Sequence, residues 1–251
     1  MIPKIIHYCW FGGNPLPELA QKCIASWRKY LPDYDIKEWN EDNFDVNIIS
    51  YTSEAYEAKK YAFVSDYARF WILYKYGGLY FDTDVEVIKP LDDIIEKGSF
   101  MGCENEIEKN GATTLGVAPG LGLGVNPGLG LYKDLLDLYE TLSFKTNKGN
   151  NNLKTVVEYT SELLYKRGMK NINEIQIIDS VFIYPKEYFC PKRAHQLKIT
   201  VNSRTIHHYS GSWLPLGARI KIRISKILGP FISRSIIYVK QRIKRIFKVI
   251  I

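Results

Sequence analysis

FVSDYARFWILYKYGGLYFDTD, residues 63–84, governs how the rest of the chain is read. Phe63–Tyr76 reads as a helix, with Tyr67, Phe70, Trp71, Leu73 and Tyr74, and Ala62 just ahead of them, supplying apolar surface. Gly77-Gly78 stops that helix, and Leu79–Phe81 forms a short apolar strand that delivers Asp82 and Asp84, one residue apart, beyond its end. Asp66 and Arg69 are three residues apart on the helix and therefore share a face.

Two carboxylates at a strand end suit a divalent cation that also holds phosphate, because such a metal needs only one or two protein carboxylates and fills its shell with water and phosphate oxygens. The competing reading is plain: acids are common on surface turns, and Asp66 with Arg69 could be an ion pair on a solvated face. The aromatic residues around that pair weigh against solvation, since a buried Asp or Arg seldom lacks a partner or a ligand.

The pattern Ser65, Asp66, Arg69, Leu73, Tyr74, Gly77, Gly78, Tyr80, Asp82 and Asp84 resembles the sugar-binding region of DxD-motif glycosyltransferases, and among them glycosyltransferase family 32. That family includes bacterial capsular and lipopolysaccharide sugar transferases and fungal mannosyltransferases. Two further stretches are similar to it: IPKIIHYCWFGG at residues 2–13 and IHHYSGSW at residues 206–213. The resemblance spans about residues 1–213. It implies a GT-A fold, a Rossmann-like α/β domain whose nucleotide lies across the carboxyl ends of the strands.

By this resemblance Asp84 would be the direct metal ligand, and Asp82 would reach the metal through water or bind the ribose and donor sugar. Asp66, Arg69 and Tyr80 would line the donor site, with Arg69 also within reach of a phosphate. Trp10, at the end of the first strand, would stack on the nucleobase; the alternative is a core tryptophan. Ser212 and Trp213 would close over the diphosphate. A histidine would complete the metal site, whose ion would be manganese or magnesium, and adjacent strand residues face opposite ways, so only one of His207 and His208 can serve. The choice between them stays open on sequence. His7, three residues before Trp10, reads as structural.

The remaining chain alternates strands and helices: a strand at Lys4–Trp10, a helix from Pro17 to Tyr30, a strand at Asp35–Trp39, then beyond the motif Val85–Ile88, a short helix near Leu91–Lys97 and a strand near Phe100–Cys103. Leu131–Leu142 and Leu153–Arg167 read as amphipathic helices. Gly116–Gly130 lacks the spacing of a phosphate loop and reads as a pliable segment near the acceptor, with Asn126 close to the donor sugar.

At 251 residues, with 46% hydrophobic content, the chain can fill one large α/β core. Its four cysteines are scattered without a CxxC pair, so neither a disulfide framework nor a zinc site is expected. No signal-peptide pattern or long apolar run appears, which leads to a cytoplasmic expectation. The net charge of +7 is uneven. Residues 214–251 hold ten basic and no acidic residues, leaving the first 213 with 24 basic against 27 acidic, a net of −3. In that tail Ile236, Val239, Ile243, Ile246, Phe247 and Ile250 recur at helical spacing beside the basic residues, the pattern of a helix lying on an anionic membrane surface. Packing on the body or binding nucleic acid are the alternatives, and a phosphate backbone has no use for the apolar stripe.

The expectation is thus a metal-dependent retaining glycosyltransferase, residues 1–213, with a basic tail, 214–251, that docks on the inner face of the cell membrane. It would move a sugar from a nucleotide-sugar donor, UDP-linked in preference to GDP-mannose, to a glycan or lipid-linked glycan acceptor in surface polysaccharide synthesis, with no nucleic-acid partner. The alternative is a sugar-nucleotide-binding membrane scaffold without turnover. A hydrolase is disfavoured because Asp82 and Asp84 should project from one face of an extended chain, too close to flank a glycosidic bond at about 5 Å or more.

Overall fold

The computed structural model describes residues 1–109, 112–146, 149–193 and 196–211. In order, the elements are β1 (Ile5–Cys9), α1 (Glu18–Tyr30), β2 (Asp35–Trp39), α2 (Ser50–Glu57), α3 (Tyr61–Tyr76), β3 (Gly78–Tyr80), β4 (Val85–Val87), α4 (Asp92–Ile95), β5 (Phe100–Lys109), β6 (Ala112–Val117) and β7 (Leu123–Val125). There follow α5 (Gly130–Glu140), α6 (Val156–Lys166), β8 (Gln176–Ile178), β9 (Val181–Tyr184), α7 (Lys186–Phe189), β10 (Lys192–Arg193), β11 (Gln196–Leu197) and β12 (Thr205–His207). One unit comprises Met1–Lys192 and Lys198–Tyr209, and every side chain discussed below belongs to it. Ser212, Trp213 and the basic tail 214–251 lie outside the described residues. Among the described residues, no helix is long and apolar enough to cross a membrane.

The central sheet runs β2-β1-β3-β7-β5-β9-β8, with β6 beside β5. Pairings are parallel for β1 with β2 and β3 and for β5 with β9, and antiparallel for β7 with both neighbours, for β6 and for β8. Five of the eight strands therefore point one way, a mixed α/β sheet that is mostly parallel in direction. Side-chain alternation splits the core between its faces. Ile6, Tyr8, Leu79 and Phe81 join the cluster that holds Trp27 of α1 and Phe189 of α7. Tyr80 and Cys9 join the other, with Phe70 of α3 and Tyr132 and Tyr139 of α5.

Local chemistry accounts for the helix ends. Gly77 caps α3 with φ +64, and a Cβ there would meet Pro127 at 2.7 Å. Thr155 caps α6 through a capping box with Glu158, satisfying two orphan N–H groups at once.

The glycine-rich stretch differs from the expectation. It is not a pliable segment: it supplies β7, buried between β3 and β5, with Leu121, Leu123 and Val125 at 0% exposure. The glycines serve close approach, since a Cβ on Gly124 would lie 2.1 Å from the Phe100 ring. Nor is Asn126 near the donor site. The antiparallel register pairs Leu123 with Tyr80 and Val125 with Gly78, so the chain runs away from Asp82, and Asn126 lies beyond the opposite end of β3. The four cysteines are buried and free. Burial pushes the thiols of Cys9, Cys23 and Cys103 up to about 12, which suits small core residues and not nucleophiles.

Candidate active site

β1 and β3 run side by side, with His7 opposite Tyr80, so Trp10 and Asp82 emerge at the same carboxyl end of the sheet. Beyond β3 the backbone does not stay extended. It turns, closed by the Val85 N–H donating to the Asp82 carbonyl at 3.0 Å, before entering β4. This corrects the expectation that Asp82 and Asp84 project from one face: the turn sends each carboxylate to a different set of partners.

Asp82 meets α3. Arg69 Nη2 lies 2.9 Å from Asp66 Oδ1 and 3.2 Å from Asp82 Oδ1, its Nε donates to the Ser65 carbonyl at 3.1 Å, and its guanidinium carbon stands 5.1 Å from the Tyr80 ring centroid. The Tyr80 hydroxyl donates to Asp82 Oδ1 at 3.2 Å. Arg69 and Asp66 are buried, as their aromatic setting suggested, whereas the Asp82 side chain keeps 32% exposure. Burial pushes the Asp66 carboxyl up to about 7; the Arg69 charge opposes that rise and the Asp82 charge adds to it. Arg69 is held protonated by Asp82, Tyr80 and Asp66 against its own burial. With these partners in place, Arg69 sets the orientation of Asp82.

Asp84 meets β12. His207 Nε2 is 3.4 Å from Asp84 Oδ1, and Nδ1 is 3.7 Å from Glu104 Oε2 on β5. Burial by itself would lower the His207 imidazole; contacts with Asp84, Cys190 and Glu104 and the Asp84 charge outweigh it and raise the ring well above its ordinary value. Cation binding would displace that proton. His208 points elsewhere: its backbone N–H donates to the Asp84 carbonyl at 2.9 Å, but its ring lies 2.8 Å from Glu86 Oε2. Antiparallel pairing of β12 with β4, His207 opposite Val85, puts one histidine on the Asp84 side and the next on the other.

Trp10 is half-buried at the rim, with Nε1 donating to the Asn14 carbonyl at 2.6 Å. The loop after it is tightly held. Gly12, at φ +95, lies where a Cβ would be 2.3 Å from the Tyr61 ring, and its N–H donates to Glu41 Oε1 at 2.6 Å. His7 is a structural histidine: Trp39 Nε1 donates to its Nδ1 at 3.0 Å, and its Nε2 lies 3.0 Å from the Gly77 carbonyl. That arrangement assigns the proton to Nε2.

Gly120 forms the wall beside Asp82. Its carbonyl accepts from the Asp82 N–H at 2.9 Å, and a Cβ would lie 1.9 Å from Asp82 Oδ2. Three participants were therefore invisible in the motif reading: Glu104, Glu41 and Gly120. Only Gly120 carried a signal, its membership of the glycine-rich stretch.

Among the described residues, no three of His, Cys, Asp and Glu form a ready-made metal cage. The donor set near the turn is Asp84 with a histidine nitrogen, oxygen and imidazole ligands that fit a manganese-type ion sharing its shell with phosphate.

Residues 17–101 match the family model described as the glycosyltransferase sugar-binding region containing the DXD motif. Inositol phosphoceramide mannosyltransferase 1 of Schizosaccharomyces pombe is 31% identical over 111 residues, 40% of this chain and 33% of that protein. An uncharacterized glycosyltransferase, L373, of Acanthamoeba polyphaga mimivirus is 26% identical over 231 residues, 86% of this chain and 85% of the relative. The PaToxG glycosyltransferase superposes with a TM-score of 0.47 at 20% identity, covering 66% of this chain and 69% of that one. The chain spans a third or less of the length of the two inositol phosphoceramide mannosyltransferases it matches.

Proposed function

We propose that this chain, whose residues 17–101 match the model of the DXD-motif glycosyltransferase sugar-binding region, transfers a sugar from a nucleotide-sugar to a glycan acceptor with a divalent cation and retention of anomeric configuration. The observation that carries this reading is the convergence, at the carboxyl ends of β1 and β3, of Trp10, the Arg69-tethered Asp82, and Asp84 facing His207.

Asp84 and His207 would hold the cation, and Asp82 would act through water or the donor ribose. When bound, the metal supplies positive charge to the diphosphate leaving group. The chain's own residues do the rest. Trp10 offers a partly open aromatic face to the base, and Asp66 and Arg69 present fixed hydrogen-bonding groups to the donor sugar from a buried, preorganised pair. No protein nucleophile is invoked, and the departing diphosphate would take the acceptor proton.

The donor is proposed as UDP-linked, but the two relatives named as mannosyltransferases make GDP-mannose an essential member of any test panel. Manganese, magnesium, a surface-polysaccharide acceptor and membrane docking by residues 214–251 belong to the same proposal and rest on sequence. The decisive experiment measures release of nucleoside diphosphate from UDP- and GDP-sugars, with and without manganese. One donor is expected to turn over with metal, and Asp84→Ala and His207→Ala are each expected to lose about 10²-fold or more. His208→Ala is expected to stay near wild type. If a donor raises the melting temperature with metal but none turns over, the catalytic reading fails and the sugar-nucleotide-binding scaffold takes its place; if none turns over and none raises it, the donor-site reading itself fails.

A further inference from the structure

Glu104 lies in no sequence motif, and its position depends on an irregularity in the sheet. Cys103 pairs with Val117, but the next pair recorded is Glu106 with Leu115. Three steps along β5 thus match two along β6, and Glu104 falls in the bulge. An extra residue in one strand bends it and re-aims a side chain. Cys103 stays in the core at 2% exposure, while the Glu104 carboxylate faces the Nδ1 edge of His207. The opposite edge, Nε2, faces Asp84. Tyr209 lies against the same ring, centroids 4.0 Å apart; it holds a left-handed backbone at φ +51, and its hydroxyl sits 2.8 Å from Cys190 Sγ. The ring is therefore bracketed by Asp84, Glu104 and Tyr209, with Cys190 also in contact with it.

We propose that Glu104 is a positioning residue for the metal site: it accepts the Nδ1–H of His207 and so fixes the tautomer whose Nε2 lone pair points at a cation beside Asp84. This rests on the donor-site reading above. Metal-bound histidines regularly donate their second ring N–H to a carboxylate, which sets ring orientation and strengthens the ligand. The 3.7 Å separation is longer than a hydrogen bond, and contacts of this kind tighten when the site is loaded. An acceptor role makes a specific demand. The glutamine amide oxygen should replace the carboxylate, whereas alanine should not.

The test is manganese binding, followed by electron paramagnetic resonance, for wild type, E104Q and E104A, each with manganese alone and with manganese plus UDP or GDP. E104A is expected to weaken manganese binding by about 10–100-fold, and E104Q to recover most of it. Pulsed measurements should show ¹⁴N coupling from the imidazole in wild type and E104Q and its weakening in E104A. If E104A melts below the assay temperature, E104S replaces it. Wild-type affinity in E104A overturns the proposal. So does E104Q binding as weakly as E104A, which would assign Glu104 to direct charge contact with the ion. If wild type itself binds no manganese with either nucleotide, the donor-site reading falls, and this inference falls with it.

Discussion

Substituting Gly120 by alanine tests whether the position of Asp82 matters, because it moves that carboxylate without touching its chemistry. A Cβ at residue 120 would stand 1.9 Å from Asp82 Oδ2, 2.7 Å from Cγ and 3.4 Å from Oδ1, and real Cβ atoms essentially never approach another heavy atom closer than 3.0 Å. The clash must therefore be relieved by a shift of about 1 Å or more. Gly120 is outside the left-handed region, so alanine adds no backbone strain. The Asp82 N–H to Gly120 carbonyl bond at 2.9 Å holds the two backbones together, which leaves the Asp82 side chain, 32% exposed, as the part that gives. Rotation takes Oδ1 away from both Arg69 and the Tyr80 hydroxyl, each now at 3.2 Å. The stability cost is small, because a partly exposed ion pair contributes about 1 kcal/mol or less. Misplacing an active-site group by 1 Å costs on the order of 10²-fold in rate, or about 2.7 kcal/mol of transition-state stabilisation. The assay is kcat/KM for nucleoside diphosphate release beside a urea unfolding curve. The expected result is a loss of about 100-fold with stability within about 1 kcal/mol of wild type. Wild-type kcat/KM would refute the reasoning. A stability loss of several kcal/mol would refute it differently, by showing that the loop and not the carboxylate absorbed the clash.

Two further outcomes follow from the buried groups. Arg69→Met leaves Asp66 and Asp82 facing each other without the guanidinium that bridges them, so unfolding in urea should show a loss of about 3–5 kcal/mol; a change under 1 kcal/mol would mean that the pair is not coupled to the fold. His7 should make stability depend on pH. Burial lowers its folded pKa to about 4 from an ordinary 6.5, against the hydrogen bond to Gly77, so the unfolded chain binds its proton first on acidification. The stability that His7 contributes is complete above pH 6.5, falls as pH drops below it, and is gone below about 4, a loss of about 3 kcal/mol in all. Nuclear magnetic resonance of the imidazole should find it neutral at pH 5; titration near 6.5 in the folded protein would refute the assignment.

Much of this molecule was legible without a structure, for reasons that particular residues make plain. The helix over residues 61–76 declares itself through its aromatic residues, its end through Gly77-Gly78, and β2 at Asp35–Trp39 appears where its sequence places it. The partnership of Asp66 with Arg69 followed from helical spacing. By contrast β7 was missed, because a strand of Leu-Gly-Val set among glycines has no alternating pattern to read; its glycines answer to the Phe100 ring and the Asp82 carboxylate, which only packing brings near. α2 and the β8–β9 hairpin were likewise passed over, three to eight residues being too short to show a period.

The sequence by itself determined the chemistry available: two acids after an apolar strand, an arginine one helical turn from a third acid, and two histidines far along the chain. Local spacing is enough for that, because helix and strand periods are properties of the backbone. Tertiary structure alone decided which groups meet. The turn closed at Val85 separates Asp82 from Asp84. The register of β12 on β4 selects His207 over His208 to face Asp84, and the β5 bulge brings Glu104 to the same ring. Register and bulges are set by how distant strands pack, and a side chain's partner across the sheet leaves no mark on its own neighbours in sequence.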